Sequence, residues 1–212
     1  IVVMSPESEP EAGFDPAYGW GAGEHVHEPL IQSTLTVTNS DLTIGYDLAT
    51  SVESSEDGLT WTVAIRDDVS FTDGEPLTAE DVAFTYNTVK AESSVNDFTM
   101  LDYAEAADDG TVVFHMNRPY SIWPYTMALV GIVPEHAYSP DYGQHPIGSG
   151  RYKLVQWDRG QQVILEANPD YYGEQPEMDR VTVLFMEEDA AFAAAMAGQA
   201  DVAYTSASYG EQ

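Results

Sequence analysis

Apolar residues along the chain fall in short runs punctuated by Asp, Gly and Pro, a pattern that predicts strands joined by tight turns more than long helices. Ile1–Met4 reads as a short buried strand, followed by a turn and then the loop Gly13–Gly23, which carries Phe14, Tyr18 and Trp20 among four glycines. In Glu24–Leu35 the residues Val26, Leu30 and Ile31 sit near helical spacing, so a helix is expected after that loop. Asp57-Gly58, Asp73-Gly74 and Asp109-Gly110 mark tight turns between β-type runs such as Trp61–Arg66 and Thr111–Met116, which predicts an antiparallel sheet in the middle of the chain.

The clearest helix signal begins at Thr78. Its hydroxyl is placed to cap the backbone N–H of Asp81, Glu80 and Asp81 suit the positive end of the helix dipole, and Leu77 and Val82 have staple spacing. Val82, Tyr86 and Val89 then share one face, which predicts packing of that stripe onto a neighbouring sheet. Strand-like runs follow at Tyr152–Trp157, Gln162–Ala167 and Val181–Met186. An Ala-rich helix, Asp189–Ala197, is stopped by Gly198 and leads into a short strand at Asp201–Tyr204. No internal repeat or low-complexity linker divides the chain, so its 212 residues read as one mixed α and β domain.

Composition narrows the function classes. Seven Lys and Arg stand against 36 Asp and Glu, a formal net charge of -29. Such a surface repels phosphate backbones and anionic lipid, which excludes nucleic acid as a partner. A salt-rich habitat, a cation-binding surface and simple solubility all fit the same acidity. The absence of cysteine removes disulfides, zinc-thiolate sites, iron–sulfur clusters and thiol nucleophiles together. No apolar run approaches the ~18 residues of a membrane span, and Ile1–Ser5 is too short to serve as a signal peptide. There is no Gly-x-Ser-x-Gly elbow, no His-Glu-x-x-His and no phosphate loop, and Gly19-Trp-Gly-Ala-Gly23 lacks dinucleotide spacing. Neither catalytic residues nor a cofactor are expected, and abundant carboxylates alone do not define a glycosidase pair.

Four stretches in order and spacing resemble the signature of the family 5 extracellular solute-binding proteins of peptide and nickel importers. They are Asp47-Leu-Ala-Thr-Ser-Val-Glu with Asp57-Gly-Leu-Thr-Trp-Thr-Val and Arg66; Val69-Ser-Phe-Thr-Asp-Gly-Glu-Pro-Leu-Thr-Ala-Glu-Asp-Val-Ala-Phe-Thr; Pro146-Ile-Gly-Ser-Gly-Arg-Tyr; and Asn168-Pro-Asp-Tyr-Tyr-Gly followed by Gly198-Gln-Ala-Asp-Val. Most of these residues are structural: Gly58 and Gly74 suit turns, and Gly148 and Gly150 flank a bend that lets the chain approach another segment. The resemblance implies an α/β (mixed α+β) fold of the class II periplasmic-binding-protein type. Residues 1–212 would form the first lobe, with mixed β-sheets, flanking helices and an inserted subdomain at approximately 44–150, while the second lobe lies outside this chain. It further implies a monomeric, extracytoplasmic component of an ABC importer, periplasmic or anchored at the cell surface. That component would bind a peptide or other small solute and deliver it to a membrane permease. A nickel-chelate binder and a chemosensory receptor of the same fold are the rivals.

By the same resemblance the segment after the first strand lines the ligand cleft, which makes Tyr18 and Trp20 pocket candidates, with packing inside the loop as the alternative for Trp20. His25 and His27, with Glu24 and Glu28, offer imidazole and carboxylate donors suited to nickel or zinc. Residues two apart on a helix face different ways, so both reach one ion only if the segment is extended or broken; no metal site is assigned, and His25 is kept as a cleft candidate. Met100 and Leu101 fall where relatives present a side chain to ligand, and Trp123, Tyr125 and Met127 follow near the cleft, with core packing favoured for Trp123 and Met127. Nickel-type relatives often carry an arginine before the proline matching Pro134, and Leu129-Val-Gly-Ile-Val-Pro134 has none.

Overall fold

In the computed structural model, residues 1–18, 30–93 and 97–206 are described. Both ends of the chain build one five-stranded sheet from β1 (Val2–Met4), β8 (Tyr152–Asp158), β9 (Gln162–Ala167), β10 (Arg180–Phe185) and β11 (Val202–Ala203), in the order β11-β1-β10-β9-β8. β1 runs parallel to both its neighbours, while β8, β9 and β10 form an antiparallel meander. The middle of the chain builds a second sheet from β4 (Ala49–Ser54), β5 (Thr60–Ile65), β6 (Leu101–Asp108) and β7 (Thr111–Met116), antiparallel throughout in the order β4-β5-β7-β6. A small hairpin of β2 (Thr36–Thr38) and β3 (Ile44–Tyr46) stands between them in sequence.

The predicted antiparallel sheet and its tight turns are present. Gly58 and Gly74 adopt φ of +69° and +95°, conformations that a side chain resists. Helix α1 (Ala79–Glu92) covers the inner face of the middle sheet with Val82, Tyr86 and Val89, all buried. Beside them Tyr86, Phe98, Phe114 and Trp123 pack edge-on or tilted with ring centroids 4.8–6.1 Å apart. Aromatic contacts of this geometry add to simple area burial, and they fix α2 (Trp123–Thr126) against α1. Trp123 and Met127 thus belong to the core.

At the start of α1 the capping box expected of Thr78 and Asp81 forms, but its well-made half is the acid. The Asp81 carboxylate accepts the Thr78 N–H at 2.9 Å and the Thr78 hydroxyl at 3.1 Å, and it also accepts the Glu135 N–H at 3.0 Å. One buried acid therefore caps the helix and pins a turn 54 residues away. Helix α3 (Glu188–Met196) ends as its sequence predicts: Gly198 has φ +68°, and its N–H and that of Gln199 reach back to Ala195 and Ala194 at 3.0 and 2.8 Å, a Schellman closure.

The helix expected over Glu24–Leu35 is corrected where it is described, since residues 30–35 are irregular. The carbonyls of Leu30 and Ile31 are taken by the N–H groups of Tyr152 and Gly150 at 2.9 and 2.8 Å, so long-range pairing replaces helical bonding. That pairing explains Pro146-Ile-Gly-Ser-Gly: a Cβ on Gly148 would stand 2.0 Å from the Ile31 carbonyl oxygen, and one on Gly150 would stand 2.4 Å from that of Leu30. Only glycine lets the two segments meet.

Candidate functional site

Tyr18 stands at the end of a described loop, 13–18, that the fold anchors at several points. The Phe14 N–H donates to the Gly143 carbonyl at 2.8 Å, and Gly13 and Gly143 approach so closely that a Cβ on Gly13 would fall 2.3 Å from that oxygen. Gln32, buried, donates to the Phe14 carbonyl at 2.8 Å and to the Tyr142 hydroxyl at 3.2 Å; that hydroxyl in turn donates to the Ile147 carbonyl at 2.7 Å. Asp15 is buried although charged; its carboxylate accepts the Ala17 N–H at 2.9 Å and the Tyr138 hydroxyl at 2.8 Å. Tyr138 packs edge-on against Phe84 of α1 and tilts against Tyr142, each at 5.3 Å. The Tyr18 hydroxyl, at the outer end, donates to Glu92 in the last turn of α1 at 3.2 Å.

The electrostatics of this cluster are acidic and partly desolvated. Burial raises the Asp15 carboxyl above the ordinary aspartate range against the lowering effect of its two hydrogen bonds. Burial, then the bond to Asp15 and its charge, holds the Tyr138 phenol protonated far above its usual range. Tyr18 is raised too, first by desolvation and then by Glu92. At neutral pH both phenols are protonated donors, to Glu92 and to Asp15.

The predicted site residues separate into groups. Tyr18 and Tyr125 are each 44% exposed, on different elements: Tyr18 at the end of the loop 13–18 with its hydroxyl on Glu92 of α1, and Tyr125 on α2 with its hydroxyl donating to the Leu42 carbonyl at 3.1 Å. Leu42 holds φ +66°, the one non-glycine residue with positive φ among those described, and presents its side chain to solvent. Met100 and Leu101 are 4% and 0% exposed and pack into the core beneath the middle sheet, with Leu101 opposite Met116 just ahead of a break in the β6–β7 register. Trp20, His25 and His27 lie outside the described residues. Among the described residues no group of three or more His, Asp or Glu is placed to hold a metal ion.

Asp15, Gln32 and Tyr138 were missed by sequence reasoning. Asp15-Pro16-Ala17 is a legible Asx-turn signal, since the side chain accepts the N–H two residues on. Its partner Tyr138 lies 123 residues away and left no local trace. A separate cleft of about 420 Å³ lies between 144–146 and β8, with Trp157 and Arg159 on its wall, and contains none of the predicted residues.

The chain belongs to the bacterial extracellular solute-binding proteins, family 5, whose sequence profile matches residues 43–212. It is 34% identical over 200 residues to Protein XP55 of Streptomyces lividans, covering 89% of this chain and 36% of that protein. Its fold matches NikZ of Campylobacter jejuni in complex with Ni(L-His), with TM-score 0.87, 27% identity, and coverage of 98% of this chain and 43% of that one. It also matches the oligopeptide-binding protein AppA of Bacillus subtilis in complex with a nonapeptide, with TM-score 0.86, 29% identity, and coverage of 100% and 45%. The chain thus spans less than half the length of these relatives.

Proposed function

We propose that this chain is the first lobe of the substrate-binding component of an ABC importer, which encloses a peptide or similar small solute against a second lobe and passes it unaltered to a membrane permease. The observation that carries the reading is the anchored loop ending at Tyr18, in a family whose relatives include proteins solved with a nonapeptide and with a nickel–histidine chelate. Residues of about 44–150 act as a subdomain inserted into the lobe; in support, the five-stranded sheet is built from both ends of the chain and the middle sheet from residues between them. The protein works outside the cytoplasm as a monomer and performs no chemistry on its cargo. Tyr18, Tyr125, Trp20 and His25 are the candidate ligand contacts; in support, Tyr18 and Tyr125 are exposed.

Nickel chelate is the second reading, favoured by the likeness to NikZ. The stretch 129–134, which lacks an arginine, supplies no carboxylate clamp for such a chelate. Native mass spectrometry of the full-length protein, as purified and after exposure to a tryptic digest of casein or to nickel with L-histidine, separates the two. Retained peptide masses are expected. Retention of the chelate alone would replace the peptide reading, and retention of neither would refute solute capture of both kinds.

A further inference from the structure

The loop 13–18 is tied to segments far apart in sequence: Gly143 and Gln32 hold its start, and one buried acid, Asp15, holds the turn that leads to Tyr18. Asp15 receives Ala17 N–H from its own loop and the Tyr138 hydroxyl from the far segment, and Tyr138 is itself wedged between Phe84 and Tyr142. The Asp15 carbonyl also accepts the Tyr18 N–H at 3.1 Å, closing a tight turn that sets where the Tyr18 ring leaves the backbone. A carboxylate so buried costs desolvation energy that an alkyl side chain would avoid. Covering the loop needs no charge, since Phe14 against Trp157 and Ala17 in the core already supply apolar contact. What the carboxylate adds is direction: two acceptor oxygens satisfied at once by donors from two segments leave one orientation of the turn.

We propose that Asp15, through Tyr138, is the positioning residue of the solute site: it fixes the turn that presents Tyr18, and affinity for solute depends on it although it does not touch the solute. This rests on the solute-binding reading above. Affinity in such sites depends on preorganisation, because a loop ordered before binding has no ordering cost left to meet. Glu92 completes the arrangement from α1 by accepting the Tyr18 hydroxyl.

The test uses the full-length protein with Asp15→Ala, Asp15→Asn and Tyr138→Phe, with retention of casein tryptic peptides and amide hydrogen exchange as the two readouts. Asp15→Ala should retain at least roughly 10-fold less peptide, and the Ala17 amide should exchange roughly 10- to 100-fold faster, the range set by loss of a charge-assisted hydrogen bond. Amides of α1 should keep their rates. Tyr138→Phe keeps its ring contacts and should reproduce the affinity loss in part, while Asp15→Asn, whose amide still accepts from Ala17 and donates to Tyr138, should restore most of it. Wild-type retention by Asp15→Ala, or an unchanged Ala17 rate, would overturn the proposal. So would faster exchange throughout α1, which would mark Asp15 as a general stabiliser. If the unsubstituted protein retains neither peptide nor nickel with L-histidine, the solute reading falls first, and the exchange rates still decide separately whether Asp15 anchors the loop.

Discussion

Replacing Asp81 with alanine should be among the most costly single changes in this fold outside the apolar core. The acid is 7% exposed and its two oxygens serve three donors: the Thr78 N–H, the Thr78 hydroxyl and the Glu135 N–H. Loss of the cap at the start of α1 costs about 1 kcal/mol. Leaving the Glu135 N–H without its acceptor adds about 1–3 kcal/mol, since a part-buried donor to a charged group is lost. The sum, about 2–4 kcal/mol, is a large part of the ~5–15 kcal/mol that holds a typical domain folded. Thr78→Ala should cost less, about 0.5–1 kcal/mol, because the carboxylate still accepts the backbone N–H of residue 78. Urea unfolding followed by tryptophan fluorescence reads the effect directly, since Trp123 lies in the core that α1 covers. In the double variant the losses should add up to less than their sum, because the bond between the Thr78 hydroxyl and the Asp81 carboxylate is lost in each single variant. Equal midpoints for Asp81→Ala and Thr78→Ala, or fully additive losses, would refute the account of one acid bracing helix and turn.

Other outcomes follow from the same structure. His136 bonds Asp73 at 2.7 Å, and that bond, ahead of the carboxylate's charge, raises its pKa; the stability it adds is full below the unfolded value near 6.5 and fades as pH rises through the higher folded value. Because the pair is largely exposed, a melting series from pH 6 to 9 should show His136→Gln removing less than ~1 kcal/mol, with the difference vanishing at the alkaline end. Gly148→Ala should destabilise by about 1–3 kcal/mol or prevent folding, since its Cβ meets backbone, whereas Gly74→Ala has open space and meets only the ~1–2 kcal/mol strain of its positive φ; matched thermal melts should rank them so. Raising NaCl from about 0.1 to 1 M shortens the screening length from ~10 to ~3 Å and should raise the melting temperature by easing the self-repulsion of a net charge of -29; a flat or falling melting temperature would contradict that.

Much of the fold was legible because its signals are local. Alternation in Thr111–Met116, the Asp-Gly turns, the cap of α1 and Gly198 after α3 each act over a few residues, and each reappears where the sequence predicts it. Gly148 and Gly150 were legible as a place of close approach, but what approaches them was not. The site was less legible, because its character depends on pairs distant in the chain. Nothing near Tyr138 announces Asp15, and nothing in Leu30–Leu35 announces that residues 150 and 152 take its carbonyls and cancel a helix that apolar spacing favours. Met100 and Leu101 carried the right chemistry for a ligand wall, yet both pack into the core, Leu101 opposite Met116 of β7. Local sequence therefore determined which turns, caps and strands form, since their free energy is settled between near neighbours. Tertiary structure alone decided which polar groups are buried together at Asp15 and Asp81 and which aromatic rings stay exposed, since desolvation depends on every segment that packs around a group.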